Sequence, residues 1–376
     1  MNSPELLQAG EMVGDYEVID HLTNTPSSEI YRGVNEQTKM PVAIKLPIHN
    51  THGGALTKER ILHTKNADNP YVVKIDGHGV WHGRHYIATE LQDEGTLEKI
   101  IDKNTAPSNT FRVDTIISEL RKDVDTSTCN DDATIDFPAL LEVKEVLRMH
   151  RCADRIKDLE DNNDLGSNNA VAIVTKAARE LGHEIEIDSP LAKELTILLL
   201  KDMPTIEPGI DKAATMQYVN ILKAVTKGVV MIHKNGMVHR DIKPGNVGLD
   251  HTGKPSILDF GIATTRIGQR DRVAGSPGNI SPEGYRGFVS PANDNFALSA
   301  MAYTLLAGKM PWIAATENSL EAHHEAMYST VPINPADINK HVPRSLGSVL
   351  MMGLALDPKI RASDVDLYNA FEAAAA

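Results

Sequence analysis

The spacing of apolar residues changes along the chain, and this change limits the fold more than any other feature. Residues 15–92 alternate polar and apolar side chains in short runs, with one helix-like stretch at residues 56–65. Alternation with a period of two predicts a small antiparallel sheet, here with one helix. From residue 213 onward the spacing becomes helical, most clearly at residues 216–234, 294–307 and 346–356. The predicted fold class is therefore α+β, with a β lobe followed by a mainly α lobe.

A segment between these two parts carries none of the motifs described below. Residues 105–212 have their own turn signals, and their spacing favours three helices, near residues 140–156, 170–181 and 191–200. We predict an N-terminal flank, a β lobe, an α lobe and a helical insertion within the α lobe, at residues 1–14, 15–92, 93–376 and 105–212. Docking or regulation and inert decoration are equally weighted roles for the insertion, because long surface insertions cost little free energy.

Composition excludes several classes of protein. The chain has 376 residues and a net charge of −13, which argues against a general nucleic-acid binder and against adhesion to an anionic membrane. Its two cysteines cannot form a disulfide framework, so a reducing compartment is the simplest interpretation. No leader pattern and no apolar run of about 18 residues stands out. We predict a soluble, cytoplasmic protein; its oligomeric state is not predicted.

The residues that carry chemistry lie in the α lobe. Residues 239–246 read HRDIKPGN, and residues 259–261 read DFG after a short apolar hairpin. Phosphoryl transfer needs one carboxylate to accept the proton of the attacking hydroxyl, and an amide and a second carboxylate to hold Mg²⁺ ions that bridge the phosphates. Asp241, Asn246 and Asp259 fit these three roles.

With these motifs the sequence resembles the eukaryotic-like Ser/Thr protein kinase family over residues 15–103 and 213–372. The resemblance implies the bilobal kinase fold, ATP and Mg²⁺ as cofactors, and a protein substrate. It implies that Lys45 contacts the α and β phosphates and that Glu59, on the predicted helix, pairs with Lys45. Lys243 is typical of the Ser/Thr branch, where this lysine stabilises the transferring phosphoryl group.

The resemblance also implies which residues surround the nucleotide. Gly248 replaces the larger apolar residue that the family usually has beneath the base, which predicts looser packing there. Thr89 is implied to guard the back of the pocket. The residues implied to contact the nucleotide are Leu22, Ile30, Ala43, Lys45, the hinge residues Glu90 and Gln92, Asn246 and Asp259.

The activation segment, here residues 259–283, ends in a Ser-Pro-Glu motif that is similar to the peptide-docking end of this element in protein kinases. By the same resemblance, Glu283 forms a buried ion pair with Arg361, and Asp294 braces the catalytic loop. Both pairs are scaffold and take no part in the reaction.

Regulation of this segment is expected to involve a phosphate that pairs with Arg240, the residue beside the base. Thr264 and Thr265 are the favoured phosphosites. Ser276 is better interpreted as a structural hydroxyl that contacts the catalytic loop.

The glycine-rich loop departs from the family pattern. Thr23, Thr25 and Ser28 occupy its three glycine positions, and Pro26 stiffens the hairpin. Glu29 is expected to add a negative charge near the phosphates. These changes predict weak phosphate binding and leave a pseudokinase or scaffold as the alternative to an active kinase. A small-molecule kinase is less favoured because residues 276–283 contain the peptide-docking motif.

Overall fold

A computed structural model describes most of the chain outside the predicted insertion. The chain divides into two units, the first formed by Met1–Asn104 with Ile210–Ala376 and the second by Thr105–Gly209. The described residues are 6–25, 27–48, 53–99, 167–180, 192–193, 195–197, 210–312, 319–329 and 331–376.

The N-terminal part of the first unit is a six-stranded antiparallel sheet with strand order β1-β2-β3-β4-β6-β5. One helix, α1 (Gly53–Thr64), lies between β4 and β5 in the chain. The predicted antiparallel sheet with one helix is confirmed. The strands are β1 (Met12–Val13), β2 (Tyr16–Asn24), β3 (Ser28–Asn35), β4 (Pro41–Pro47), β5 (Ile75–Trp81) and β6 (Arg84–Glu90).

Alternation along β4 shows how this sheet separates its core from the site. Val42, Ile44 and Leu46 are almost fully buried and pack with the aromatic residues of β2 and β3. Ala43 and Lys45 are only half-buried, because successive side chains on a strand point to opposite faces. The apolar core therefore holds one face of β4 while the other face carries the lysine predicted to bind phosphate.

The C-terminal part is mainly helical and begins with α3 (Lys212–Lys234), which follows α2 (Ser167–Glu180) of the second unit in the chain. A short three-stranded sheet, β7 (Gly95–Thr96), β8 (Val247–Leu249) and β9 (Pro255–Ile257), joins the segment before the insertion to the catalytic residues. The remaining helices are α4 (Pro291–Ala307), α5 (Leu320–Ser329), α6 (Pro335–Ile338), α7 (Arg344–Gly353) and α8 (Asp364–Ala375), and short 3₁₀ turns occur at Pro244–Asn246 and Gly284–Arg286.

Local sequence explains where two of these helices begin and end. Asp211 caps α3, since its carboxylate accepts the N–H of Ala214 at 2.7 Å. Helix α4 begins with Ser290 followed by proline, and it ends at Gly308, whose φ of 72° suits glycine. Helices α3, α4, α7 and α8 share one apolar core that includes Leu222, Leu298 and Phe371. The predicted bilobal α+β fold is confirmed, and this core supports the site from below.

In the second unit, α2 (Ser167–Glu180) coincides with the helix predicted at residues 170–181. Residues 192–193 and 195–197 are helical, within the helix predicted at residues 191–200. The helix predicted near residues 140–156 and both cysteines, Cys129 and Cys152, lie outside the described residues. Within the described ranges, no helix is long and apolar enough to cross a membrane.

Candidate active site

Three charged side chains from distant parts of the sequence meet at the centre of the site. Lys45 Nζ on β4 donates to both carboxylate oxygens of Glu59 on α1, at 2.8 and 3.0 Å, and to Asp259 Oδ1 at 2.9 Å. The side chains of Lys45 and Glu59 are only 16% and 8% exposed, whereas that of Asp259 is 34% exposed. The sequence analysis assigned Glu59 to Lys45, and this contact is present. The cluster links the sheet, helix α1 and the activation segment.

Charge pairing, and not burial, sets the state of Lys45 and Asp259. Burial alone would lower the pKa of Lys45, but Glu59 and Asp259 raise it above its usual value. Burial alone would raise the pKa of Asp259, but Lys45 lowers it to about 2. For Glu59 burial is larger than the effect of Lys45, and together with the charge of Asp259 it raises the pKa to about 7. At a pH above the pKa of Glu59, two carboxylates share one ammonium group, which leaves surplus negative charge for a cation.

Asp241 is held by three donors. Its Oδ2 accepts the amide of Asn246 at 2.8 Å and Lys243 Nζ at 3.0 Å. Its Oδ1 accepts the hydroxyl of Ser276 at 2.8 Å, and Lys243 Nζ also donates to that hydroxyl at 2.6 Å. These contacts fix the direction of the carboxylate. They also agree with the interpretation of Ser276 as a structural hydroxyl.

The catalytic loop is braced by Asp294 from below. Asp294 is fully buried at the start of α4, and its carboxylate accepts the backbone N–H groups of His239 and Arg240, both at 2.7 Å. This contact is the one expected for Asp294. It places the run 239–246 directly over the helical core.

A buried histidine supports Asp294 in turn, and the sequence analysis missed it. His233, in the last turn of α3, contacts Asp294 Oδ2 at 3.0 Å and Asp364 Oδ2 at 2.8 Å. Burial alone would lower the pKa of His233, but hydrogen bonds to the two carboxylates raise it to about 9. The imidazolium therefore neutralises the buried charge beneath the catalytic loop. No motif marks His233, and only its position at a helix end hinted at a role.

Two residues of the site have a backbone conformation that is rare outside glycine. Asp259 has φ 56° and Arg240 has φ 72°. Phe260 anchors this region, because its fully buried ring contacts His63 and His239 with centroids 5.1 and 5.0 Å away. A Cβ at Gly261 would lie 3.0 Å from Asp259 Oδ1, so glycine leaves room for that carboxylate. Such local strain is typical of residues held in a functional geometry.

The residues assigned to the nucleotide base lie on one face of the sheet. Register places Ile30 opposite Lys45 and Ala43 opposite Thr89, and these side chains and Leu22 are half-buried. Glu90 is exposed at the end of β6. Their contacts with a nucleotide stay predictions.

Gln92 changes the expectation for Gly248. A Cβ at Gly248 would lie 2.4 Å from Cγ of Gln92, so the glutamine side chain fills the space that a larger residue would take. Loose packing beneath the base is therefore not what the structure has. The cause is a side chain from the hinge, which the position of Gly248 alone did not indicate.

The glycine-poor loop closes on itself. The hydroxyl of Thr25 donates to the carbonyl of Ser28 at 3.1 Å and accepts the N–H of Ser28 at 3.0 Å. The N–H of Thr25 donates to the same carbonyl at 2.7 Å. Two backbone donors of this hairpin are therefore engaged inside the turn. These contacts support the expectation that the loop binds phosphate weakly.

The expectation for Glu29 is wrong. Glu29 is only 3% exposed, and its carboxylate pairs with Arg84 at 2.8 Å and accepts the hydroxyl of Tyr31 at 3.2 Å. Because side chains alternate on β3, the half-buried Ile30 lies on the opposite face. Glu29 is neutralised inside the sheet and adds no free charge to the phosphate site. Strand alternation could have predicted this.

The end of the activation segment is anchored as expected. Arg361 makes two hydrogen bonds to Glu283, at 2.6 and 3.0 Å, and its side chain is fully buried.

The favoured phosphosites differ from each other: Thr264 is 2% exposed and pairs with the backbone of Val238, whereas Thr265 is exposed. A kinase could reach Thr265 in this conformation, but not Thr264.

The donor set fits Mg²⁺ held jointly with phosphates. Among the described residues, no cluster of three or more His, Cys, Asp or Glu could bind a metal by itself. Mg²⁺ commonly takes only one or two protein oxygens besides phosphate and water. The amide nitrogen of Asn246 donates to two oxygens of Asp241, which reserves its carbonyl oxygen as a ligand. The N–H of Leu258 donates to the backbone carbonyl of Asn246 at 2.9 Å, and this bond places Asp259, the next residue, beside Asn246.

Comparisons with known proteins agree with this geometry. Residues 199–371 match the model of the protein kinase domain. The DNA damage-responsive serine/threonine-protein kinase RqkA of Deinococcus radiodurans is 32% identical over 185 residues, 47% of this chain and 27% of that protein. Serine/threonine-protein kinase PrkC of Bacillus subtilis is 30% identical over 204 residues, 52% of this chain and 31% of that protein.

The matched segments thus span less than a third of the length of these two relatives. The residues matched to the protein kinase domain, 199–371, include the catalytic loop and the activation segment that the motifs singled out. The predicted resemblance to Ser/Thr protein kinases is confirmed by these matches.

Proposed function

We propose that this chain is an active protein kinase that transfers the γ-phosphoryl group of ATP to Ser or Thr hydroxyls of a protein substrate. The observation that carries the proposal is the contact of Lys45 with both Glu59 and Asp259, within 3.0 Å. It brings the phosphate-binding lysine and the metal-binding carboxylate together in one conformation. Both relatives named above are Ser/Thr protein kinases, which supports the substrate class.

In this mechanism Asp241 accepts the proton of the substrate hydroxyl as that oxygen bonds to phosphorus and the bond to ADP breaks. The three donors around Asp241 aim its carboxylate before the substrate arrives. Lys243 lies 3.0 Å from Asp241 and offers positive charge to the transferring group. Positioning and charge stabilisation account for most of the rate in this chemistry.

Asn246 and Asp259 would hold Mg²⁺, and Lys45 would contact the α and β phosphates. A Mg²⁺ ion held by Asn246 and Asp259 would offset the negative charge of the phosphates. The base would lie between Leu22, Ile30 and Ala43 and form hydrogen bonds to the backbone of the hinge at Glu90 and Gln92. Half-burial of these side chains on the face that carries Lys45 supports this placement.

Radiolabelled ATP with Mg²⁺ and a generic protein substrate tests the proposal. We expect label on Ser and Thr after acid hydrolysis of the substrate. Label on a small molecule but on no protein would contradict the substrate class. Binding of nucleotide without any transfer would favour the pseudokinase.

Replacing Asp259 with asparagine is expected to weaken binding of Mg-ATP. The amide keeps the size of the side chain but removes the negative charge that would attract Mg²⁺ and that pairs with Lys45. We expect the thermal shift with Mg-ATP to be lost, while the smaller shift with ADP in EDTA is retained. An unchanged Mg-ATP shift would show that Asp259 does not hold the metal.

The pseudokinase alternative is supported by one observation, the two backbone donors that are engaged inside the loop at Thr25 and Ser28. We propose a weak ATP binder with turnover at high ATP, because Lys45 and the metal ligands supply most of the charge stabilisation. The choice between an active kinase and a pseudokinase depends on whether this loop prevents productive binding of ATP.

Glycine at positions 23, 25 and 28 together is expected to lower the Michaelis constant for ATP by about tenfold or somewhat more. The estimate assumes a few recovered hydrogen bonds of ~1 kcal/mol each. Thr38→Gly, in the neighbouring hairpin turn of the same sheet, is the matched control and should change nothing. Activity that arises only in the triple variant would establish the pseudokinase reading. No tighter ATP binding would show that the Thr and Ser hydroxyls already serve the phosphates.

We also propose that residues 105–212 form an insertion in the α lobe that serves docking or regulation. The division of the chain after Asn104 and before Ile210 supports a separate unit. A cytoplasmic location is proposed on the small number of cysteines and the expected ATP dependence.

A further inference from the structure

The site expected to bind a regulatory phosphate already holds a carboxylate. Arg240, beside the base, pairs through Nη1 with Asp271 Oδ2 at 3.1 Å. Its Nη2 donates to the carbonyl of Arg272. The side chains of Arg240 and Asp271 are only 8% and 20% exposed, so water screens this pair less than a surface pair. The guanidinium is therefore engaged at both ends by the activation segment itself.

More positive charge surrounds the same carboxylate. The N–H of Arg272 donates to Asp271 Oδ1 at 2.8 Å, and this bond, followed by the charges of Arg240, Arg266 and Lys58, lowers the pKa of Asp271 despite partial burial. Lys58 lies on α1, next to Glu59. Asp271 thus lies in a field from the catalytic loop, the activation segment and α1, the three elements that build the site.

The backbone around Asp271 is paired as well. The N–H of Asp271 donates to the carbonyl of Gly287 at 2.8 Å, and the N–H of Val289 donates to the carbonyl of Gln269 at 3.0 Å. The close approach needs glycine, because a Cβ at Gly287 would lie 2.2 Å from the carbonyl oxygen of Asp271 and φ there is 73°. A third backbone bond joins the same two stretches, from the N–H of Gly268 to the carbonyl of Val289 at 2.9 Å. The segment is therefore held by three backbone bonds and by the charge-assisted contacts of Arg240.

We propose that Asp271 is the positioning residue of the activation segment, and that its carboxylate occupies the place on Arg240 that a phosphate would otherwise take. The inference rests on the proposed function, since it concerns the regulation of the same site. It implies that the unphosphorylated protein is already ordered for transfer. The hydroxyl of Ser276, which donates to the carboxylate of Asp241, lies at the other end of the same ordered stretch.

The length and charge of the side chain make this assignment specific. A carboxylate accepts from Arg240 and from the N–H of Arg272 at the same time, with one oxygen for each donor. Asparagine would keep one acceptor and lose the charge, so the contact with the guanidinium would weaken by the strength of a charge-assisted bond. Glutamate would keep the charge, but its side chain is longer by one methylene group.

The test uses the full chain after phosphatase treatment, with intact mass confirming that no phosphate remains. Hydrogen exchange of the peptide covering residues 266–274 is measured without nucleotide, so that this readout is independent of activity. We expect Asp271→Asn to speed exchange in this peptide by about tenfold, the effect of one lost charge-assisted hydrogen bond. Asp68→Asn, an exposed aspartate outside the segment, is the matched control and should leave it unchanged.

Activity forms the second arm. We expect Asp271→Asn to lower kcat/KM by about tenfold and Asp271→Glu to recover part of it. In an Arg240→Gln background, Asp271→Asn should cause little further loss of kcat/KM. A structural role of Asp271 that is unrelated to Arg240 would instead give additive losses. Thr265→Ala should leave the rate of the dephosphorylated protein unchanged.

The proposal is overturned if Asp271→Asn alters neither exchange nor rate, or if the effects of Arg240→Gln and Asp271→Asn are additive. It is also overturned if the dephosphorylated wild type gains activity only when Thr265 becomes phosphorylated. A wild type that shows no transfer at all would refute the proposed function, while the exchange arm would still decide what Asp271 does.

Discussion

Asp241→Asn is expected to reduce kcat by at least about a hundredfold, the lower end of what a general base contributes. The amide cannot accept the proton of the substrate hydroxyl, but it fits the surrounding contacts. Its carbonyl oxygen can still accept from Asn246 and Lys243, and its N–H₂ group can face Ser276, whose hydroxyl oxygen accepts as readily as the hydroxyl donates. The fold should therefore survive the substitution.

Initial rates with a protein substrate at saturating Mg-ATP measure this loss. The control is the variant's own thermal shift with Mg-ATP, which should match that of the wild type because Lys45 and Asp259 are untouched. Full activity in the variant would refute Asp241 as the base. Loss of the nucleotide shift along with activity would mean that the substitution disturbs the site more widely than its contacts predict.

The sequence predicted the parts of the site that motifs carry. Lys45 and Glu59 meet as the resemblance implied, and Asp259, 214 positions from Lys45, contacts the same lysine, which was not predicted. Each of these positions is marked by a local pattern: a strand that carries the lysine, a helix with one acidic residue and the DFG run. Periodicity likewise located α1 and the helical half of the chain, because burial of one face imposes its period on the sequence.

Contacts between charges outside the motifs could not be predicted. Alternation on β3 predicts the direction of the Glu29 side chain, but not its partner Arg84, 55 positions away. His233 reaches Asp364 across 131 positions without any periodic signal. The same is true of Asp271, one of many acidic residues in the chain. Whether Arg240 meets a phosphate or a carboxylate depends on how residues 268–289 pair, and that pairing follows from tertiary packing.

Sequence position also misled where two side chains compete for one space. Gly248 predicted a gap, but the side chain of Gln92, in the segment after β6, fills that space. Glu29 predicted free negative charge, but alternation turned it into the sheet toward Arg84. In both cases the identity of the residue was correct and its partner was unknown, which is the information that a fold adds.

The second large effect is expected from Arg361→Met, which should destabilise the α lobe by about 3–5 kcal/mol. Arg361 is fully enclosed: besides Glu283, it donates to the carbonyls of Ala355 and Ala292 at 2.9 and 2.8 Å, and it lies over the ring of Phe296 at 5.1 Å. Methionine has a similar volume but no donors. The substitution leaves the carboxylate of Glu283 buried with Asn293 as its remaining side-chain partner.

Urea unfolding followed by tryptophan fluorescence measures this cost locally. Trp312 stacks on Phe296 at 5.8 Å, beside Arg361, and the chain has one other tryptophan, Trp81. In a Trp81→Phe background the signal therefore reports the α lobe. Arg344→Met is the matched control, because Arg344 pairs with Asp337 at 2.9 Å while 68% exposed, and such surface pairs contribute only about 0–1 kcal/mol.

A double variant separates the buried charge from the lost packing. If the cost of Arg361→Met arises mainly from the unpaired carboxylate, then Glu283→Gln in the same chain should recover part of it, since the amide is cheaper to bury and can still accept from Asn293. Additive losses would instead place the cost in the carbonyls of Ala355 and Ala292. Equal losses for Arg361→Met and Arg344→Met would contradict the ion pair as the anchor of the activation segment, because a pair that is excluded from water cannot cost as little to break as one that is screened by it.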